Sequence, residues 1–231
     1  MKKTTPKVLA FDVFGTVVDW HGSIVNEVSA LGLHINAADF ARSWRAGYKP
    51  AMARVMSGEL GWTRIDDLHR MTLDASLEEF GVSMDAEAAD HLNLVWHRLN
   101  PWPDTVEGLH KLRQQHTICT LSNGNLSLLA DMAKAAELPW DLILSAEVFK
   151  AYKPHPDTYL GVAGVFDVQP EEVMLVAAHF DDLQAAGECG LQTAYIERPA
   201  EFGVDALKDV SEQAFTDYHA KNFLHLAELL S

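Results

Sequence analysis

Val8-Leu9-Ala10-Phe11-Asp12-Val13-Phe14-Gly15-Thr16 is the stretch that decides the fold. Its apolar start predicts a buried strand, drawn here from Lys7 to Asp12. Asp12 stands at the carboxyl end of that strand, with Gly15 three positions on. Parallel α/β sheets bind their ligands outside the carboxyl ends of the strands. An acid in that place serves as a nucleophile, a metal ligand or a cap for the next helix. Position 14 is Phe rather than a second acid. A single carboxylate there suits covalent attack without a metal.

Working outward, the 231 residues suffice for one α/β domain with an inserted subdomain. A hydrophobic content of 48% can fill a core. The formal charge of −15 disfavours nucleic acid and anionic membrane as partners, while leaving room for a small anion held by local arginines. Cys119 and Cys189 have no CxxC spacing and no disulfide framework; both are expected buried and reduced, as in a cytoplasmic protein. The basic start, Met1-Lys2-Lys3, is followed by too short an apolar run for a signal peptide. No segment has the length of a membrane span.

After the first strand the pattern is helical over Ser23–Leu31, Ala38–Met56, Asp66–Phe80 and Asp85–Leu99, with Pro50 expected to kink or end the second helix. Asn100-Pro101-Trp102-Pro103 reads as a boundary. Beyond it, strands at Thr117–Ser122, Leu142–Ser145, Val173–Ala178 and Thr193–Ile196 alternate with helices at Leu126–Ala136, Pro156–Phe166 and Leu183–Cys189. Such alternation predicts βαβ units and a doubly wound parallel sheet, an α/β fold. The chain divides into a core of residues 1–18 and 101–231 and a helical insertion of residues 19–100, placed to cap the sheet's carboxyl edge. Trp44, Trp62 and Trp96 lie in that insertion, where cap packing or an interface would use them.

Each core strand ends in polar chemistry. Asp12 ends the first, Ser122-Asn123-Gly124 the second; Lys150-Ala151-Tyr152-Lys153-Pro154 follows the third and His179-Phe180-Asp181-Asp182 the fourth. In a parallel sheet these ends face one way and converge. Lys153 can keep Asp12 ionised. Ser122 and Asn123 can offer donors to an anion, or simply make a turn. Histidine ligand spacing for a metal is not present.

On these four motifs, in this order, the chain resembles the haloacid dehalogenase superfamily, and within it the type II (L-2-haloacid) dehalogenases. The resemblance covers nearly the whole chain and places the insertion where the family carries its helical cap. Superfamily phosphatases carry an Asp at the position of Phe14, whereas dehalogenases carry an aromatic residue. Lys153 followed by Tyr159 is also the dehalogenase pattern. The implied reaction is 2-haloacid plus water to 2-hydroxyacid plus halide, through an aspartyl ester and with inversion at C2, in a cytoplasmic homodimer with no cofactor and no metal. Fluorinated acetates are a possible part of the range.

The implied catalytic residues are Asp12, Lys153, Asp182, Thr16 and Tyr159. Asp12 is the nucleophile, Asp182 orients the hydrolytic water, and Tyr159 positions Lys153 or the substrate. On the substrate and halide side stand Arg45, Ser122, Asn123, Phe14, Val13 and His179. Arg45 follows Trp44 as the family's halide-receiving arginine follows a tryptophan, with Asn123 its partner; Arg42 and Arg54 are its rivals. The fourth motif departs from the usual pattern. Ala177-Ala178-His179 replaces the serine pair and Asn, and Asp181 replaces an aromatic residue that helps enclose the halide. His179 could tune Lys153 or water, or be a structural histidine bonded to backbone. The alternative is a magnesium-dependent phosphatase of the same superfamily acting on a small phosphate monoester, with Asp181 or Asp182 holding the metal. Phe14 weighs against it, because no general acid remains for the leaving alcohol. A binding protein on the same fold is a third reading.

Overall fold

The computed structural model describes residues 4–231, so the reading of the basic start at Met1–Lys3 lies outside the described residues. Its centre is β1, Val8–Phe11, whose residues alternate between the two faces of a sheet. Leu9 and Phe11 join Ile118, Met174, Val176 and Ile196 on one face. Val8 and Ala10 join Cys119, Leu121, Leu175 and Ala177 on the other. Both faces are buried, which explains the near-continuous apolar runs.

In chain order the remaining strands are β2 (Val18–Asp19), β3 (Asn100–Pro101), β4 (Thr117–Ser122), β5 (Leu142–Ser145), β6 (Val173–Ala177), β7 (Gln192–Ile196) and β8 (Tyr218–Ala220). The main sheet is wholly parallel, in the order β5-β4-β1-β6-β7-β8. From β1 the chain builds outward to β4 and β5, then crosses back to β6 and builds outward on the other side. The crevice between the carboxyl ends of β1 and β6 is therefore the topological switch point, where such sheets place ligands.

The helices are α1 (Trp20–Ala30), α2 (Ala37–Ala46), α3 (Tyr48–Met56), α4 (Ile65–Glu79), α5 (Ala86–Asn93), α6 (Thr105–Arg113), α7 (Leu126–Ala135), α8 (Ala146–Phe149), α9 (Pro156–Phe166), α10 (Phe180–Glu188) and α11 (Phe223–Leu229). The first five, with a 3-10 turn at Leu94–His97, fill the chain between β2 and β3. Those two short strands pair antiparallel, Val18 with Pro101 and Asp19 with Asn100, so the chain leaves and re-enters the sheet through one ribbon. The helical segment is pinned to the sheet's carboxyl edge. Asn125 bonds the backbone and carboxylate of Asp66, His97 bridges Asp66 and Asp131, and Tyr152 donates to the carbonyl of Thr63 at 2.6 Å.

Several sequence expectations need correction. The helix expected over Ala38–Met56 is two helices, broken at Gly47 rather than at Pro50. Proline has no N–H for the Ala46 carbonyl, so the break falls upstream of it, and Pro50 sits in the first turn of α3 where no donor is needed. Gly47 also allows a close approach to Thr72, whose methyl a Cβ would meet at 2.6 Å. The helix expected from Leu183 begins at Phe180, with His179 in the N-cap position and Asp181 and Asp182 in the first turn, where negative charge suits the helix dipole. Asp85–Leu99 is a shorter helix ended by the 3-10 turn, and Asn100–Pro101 is a strand as well as a boundary. Cys189 is half-buried, whereas Cys119 is buried as expected. Trp44 and Trp96 are fully buried, so packing uses them. Among the described residues no helix is long and apolar enough to cross a membrane.

Candidate active site

Asp12 sits just past β1, its backbone N–H still bonded to the Val176 carbonyl of β6 at 3.0 Å. Its side chain is nearly buried and makes three polar contacts. Oδ1 accepts from Lys153 Nζ at 2.9 Å. Oδ2 accepts from the Thr16 hydroxyl at 2.7 Å and lies 3.0 Å from His179 Nδ1. Thr16 is itself fixed, because its oxygen accepts the Ala178 N–H at the end of β6 at 2.8 Å. Burial works to raise the Asp12 carboxyl, but the Lys153 ammonium and His179 outweigh it and hold Asp12 well below the usual carboxylate range. Asp12 is thus ionised and oriented.

Lys153 is the hinge of a second contact set. Its ammonium reaches Asp182 Oδ2 at 2.5 Å as well as Asp12, and its backbone N–H donates to Asn123 Oδ1 at 2.8 Å. Burial disfavours the charge on Lys153, yet the two carboxylates hold it above the ordinary lysine value. Tyr159 donates to Asp182 Oδ1 at 2.6 Å, so it positions Lys153's partner rather than Lys153 itself. Burial first, and then Asp12, raise the Asp182 carboxyl against the pull of Lys153. A carboxylate with a raised proton affinity is suited to take a proton from water.

These groups line one cavity of about 1010 Å³ together with residues of the helical segment, among them Arg45, Tyr48, Lys49 and Met52. Arg45 lies 3.9 Å from the Tyr48 ring centre, and within 6.0 Å of the rings of Phe14, Trp20 and Trp96. Its Nη1 is buried and has no hydrogen-bond partner among the described residues. Behind this cage His69 stacks on Trp96 at 4.0 Å, and burial, with Arg45 nearby, holds its imidazole well below the usual range and neutral. The cage therefore presents one cation with an unused donor, in apolar surroundings. Such a guanidinium can receive a small anion. The rival Arg42 is taken up by Asp39, Asp205 and the Phe202 carbonyl, and Arg54 by Glu59.

Of the residues singled out in the sequence, Asp12, Phe14, Arg45, Asn123, Lys153, Tyr159, His179 and Asp182 meet at this cavity. Thr16 acts from behind Asp12. Val13 and Ser122 are buried and not among the cavity's lining; the Ser122 hydroxyl accepts the Gly124 N–H at 3.1 Å, as a turn residue does. Asp181 does not enclose an anion: its exposed carboxylate pairs with Lys49 at the rim, at 2.7 Å. His179 bonds neither Lys153 nor backbone through its ring. It bridges Asp12 and Glu201, with Nε2 2.8 Å from Glu201 Oε1. Its Nδ1 thus contacts the Asp12 carboxylate while the residue lines the cavity. Sequence reasoning missed Glu201, Lys208, Trp20 and Tyr48. Tyr48 alone carried a signal, lying three positions beyond Arg45.

Comparison with known proteins adds the following. Residues 6–190 match the model of the haloacid dehalogenase-like hydrolases. The (S)-2-haloacid dehalogenase 4A of Burkholderia cepacia is 29% identical over 216 residues, which cover 87% of this chain and 89% of that protein. A solved L-2-haloacid dehalogenase superimposes with a TM-score of 0.93 at 42% identity, covering 99% of this chain and 100% of that one. A solved defluorinating L-2-haloacid dehalogenase gives 0.94, also at 42% identity, over 97% and 95%.

Proposed function

The chain belongs to the haloacid dehalogenase-like hydrolase family, and on that premise we propose that it hydrolyses small 2-haloacids to 2-hydroxyacids through an ester on Asp12. The observation that carries this reading is the Lys153 ammonium, seated between Asp12 and Asp182 at 2.9 and 2.5 Å. It supplies in the chain's own side chain the positive charge that both carboxylates need.

In the first step Asp12 attacks C2 in line, inverting that carbon, and the halide leaves with the bonding electrons into the Arg45 cage. The Asn123 amide completes the anion's surroundings and Phe14 walls them. Preorganised donors aimed at growing charge, in a site with little water, are the largest single contribution available here. In the second step water attacks the ester carbonyl of Asp12. Asp182, held by Lys153 and Tyr159, takes the water's proton. The segment 19–100 serves as the cap that carries Arg45, over a core of residues 1–18 and 101–231. A fluorinated acid falls within the proposed range, on the support of the defluorinating relative at 42% identity. A cytoplasmic homodimer completes the reading; the resemblance supports both parts, and the free thiols of Cys119 and Cys189 suit a reducing compartment.

The magnesium phosphatase reading has less support. Phe14 offers no proton, Asp182 is engaged by Lys153 and Tyr159, and Asp181 is turned to Lys49 at the rim. The test is halide release from L-2-chloropropionate and fluoroacetate with EDTA present, beside p-nitrophenyl phosphate hydrolysis with magnesium. Halide release unaffected by EDTA supports the proposal. Phosphate release without halide release overturns it.

A further inference from the structure

Glu201 has no place in the reaction as drawn, yet the fold is built around it. It lies in the loop after β7, is 1% exposed, and has its carboxylate fully engaged. Oε1 is 2.8 Å from His179 Nε2 and 3.2 Å from the Trp20 indole N–H. Oε2 accepts from Lys208 Nζ at 2.5 Å, and Lys208 also donates to the Ala178 carbonyl. Gly15, at φ +85°, is the residue across from it, and a Cβ there would overlap the Glu201 carboxylate. A first-motif glycine, an indole of the helical segment and a lysine seven residues further along the same loop all accommodate one buried acid.

We propose that Glu201 is a positioning residue which, through His179, makes Asp12 Oδ2 the oxyanion-bearing oxygen of ester hydrolysis and leaves Oδ1 to attack C2. This rests on the ester mechanism above. The two oxygens of Asp12 are not equivalent: among the described residues Oδ2 faces Thr16 and His179, while Oδ1 faces Lys153 alone. The oxygen with fewer donors keeps a lone pair for C2. The bond Oδ1–C2 forms as the carbon–halogen bond breaks. Water then adds to Cγ, and the electron pair of Cγ=Oδ2 moves onto Oδ2, between the Thr16 hydroxyl and His179 Nδ1–H. Collapse restores Cγ=Oδ2 and breaks Cγ–Oδ1. The alkoxide takes one proton of the water by way of Asp182, and the other is released to solvent as Asp12 returns to its carboxylate.

His179 can donate from Nδ1 only if that nitrogen carries a proton. A carboxylate at Nε2 favours the doubly protonated ring, with a proton on each nitrogen. Burial works against that charge, but Glu201 and Asp12 raise the His179 pKa to about 9. In turn His179 and Lys208 lower Glu201 to about 2 against its burial. The charged groups facing this pair are Asp12, Asp19, Asp181, Lys208 and, across Asp12, Lys153, with the titratable Tyr195 near Glu201. Without the Glu201 charge His179 becomes an ordinary imidazole, free to carry its one proton on Nε2 and turn a lone pair toward Oδ2.

The test compares Glu201→Gln, His179→Asn and the double variant. Wild type must first release halide; if it releases none, the ester reading fails and this inference is not the cause. Glu201→Gln is expected to slow ester hydrolysis ~10-fold or more, toward the ~10²–10³ cost of a lost oxyanion donor, with ester formation much less affected. Intact mass then shows an adduct on Asp12, which also reports a folded enzyme. The alkaline fall in ester hydrolysis is expected at lower pH in Glu201→Gln than in wild type, because Glu201 is the carboxylate that still contacts His179 once Asp12 is esterified. Asn at 179 has an amide donor that needs no charge, so adding Glu201→Gln to His179→Asn is expected to cost nothing further. A Glu201→Gln enzyme that turns over like wild type overturns the proposal. So does an equal slowing of both steps, or a full Glu201→Gln loss that persists beside His179→Asn, which would make Glu201 a structural anchor for Lys208 and Trp20.

Discussion

Replacing Arg45 with Met separates catalysis from folding at this site. The guanidinium stands among four aromatic rings, and cation–π contacts of this kind contribute about 0.5–2 kcal/mol. Against this, Nη1 is a buried donor without a partner, which costs about 1–3 kcal/mol. Met fills similar space and removes both effects, so the two nearly cancel and Tm should move by no more than ~5 °C. Activity is different. The halide gains its charge beside Arg45, and losing one such donor costs ~2.7–4 kcal/mol of barrier, or ~10²–10³ in kcat. Fluoride, the poorest leaving group, should lose most. The assay is kcat/KM for fluoroacetate and bromoacetate in both proteins, with Tm measured across a bromide titration. Bromide should raise the wild-type Tm by mass action and leave the variant unmoved. Equal losses for both halogens would mean that Arg45 grips the carboxylate or shapes the cavity. No loss would move the cradle to another residue, and a collapse in Tm would make Arg45 structural.

Asp182→Asn should slow ester hydrolysis more than ester formation, so an adduct on Asp12 accumulates in intact-mass spectra; an inactive variant without adduct would place Asp182 in the first step. Lys153→Met removes the shared partner of two buried carboxylates, and such losses cost ~3–5 kcal/mol, so chemical denaturation should show a clear drop in unfolding free energy along with lost turnover. His179 gives a pH signature in stability. Its pKa is raised from an ordinary 6.5 to about 9, so its contribution is full below about pH 6.5 and is lost as pH rises through about 9. The stability gap between wild type and His179→Asn should therefore shrink from pH 6 to pH 10, and a gap that widens would contradict the assignment.

What could be read in the sequence follows from where the chemistry is written. Asp12, Asn123, Lys153 and Asp182 each follow a core strand, and a parallel sheet brings such ends together whatever their separation in the chain. The inner strands were legible because both faces are buried, and the edge strand Leu142–Ser145 by its short apolar run; Thr117–Ser122 and Leu142–Ser145 are found as expected. The five-helix segment was legible by its period, although its breaks were not: the break falls at Gly47, upstream of the Pro50 that marks it in the sequence. Strand β8 is three residues long, and the Val18–Asp19 ribbon two, too short for any pattern to register. Glu201 was hidden for another reason. It follows β7 as Asp182 follows β6, but no motif marks it, and its meaning depends on Gly15, Trp20, His179 and Lys208, which only the folded chain assembles. His179 could be seen as unusual in the fourth motif, but its partners could not be named without Glu201.

The central claim is that Asp12 is consumed and regenerated in each cycle. A single turnover in heavy-oxygen water, with enzyme in excess over L-2-chloropropionate, tests it directly. The first lactate formed should carry ordinary oxygen, donated by Asp12, while peptide mass analysis should find the heavy label in the Asp12 carboxylate. Heavy oxygen in that first lactate, with Asp12 unlabelled, would mean that water attacks C2 itself and that the ester never forms.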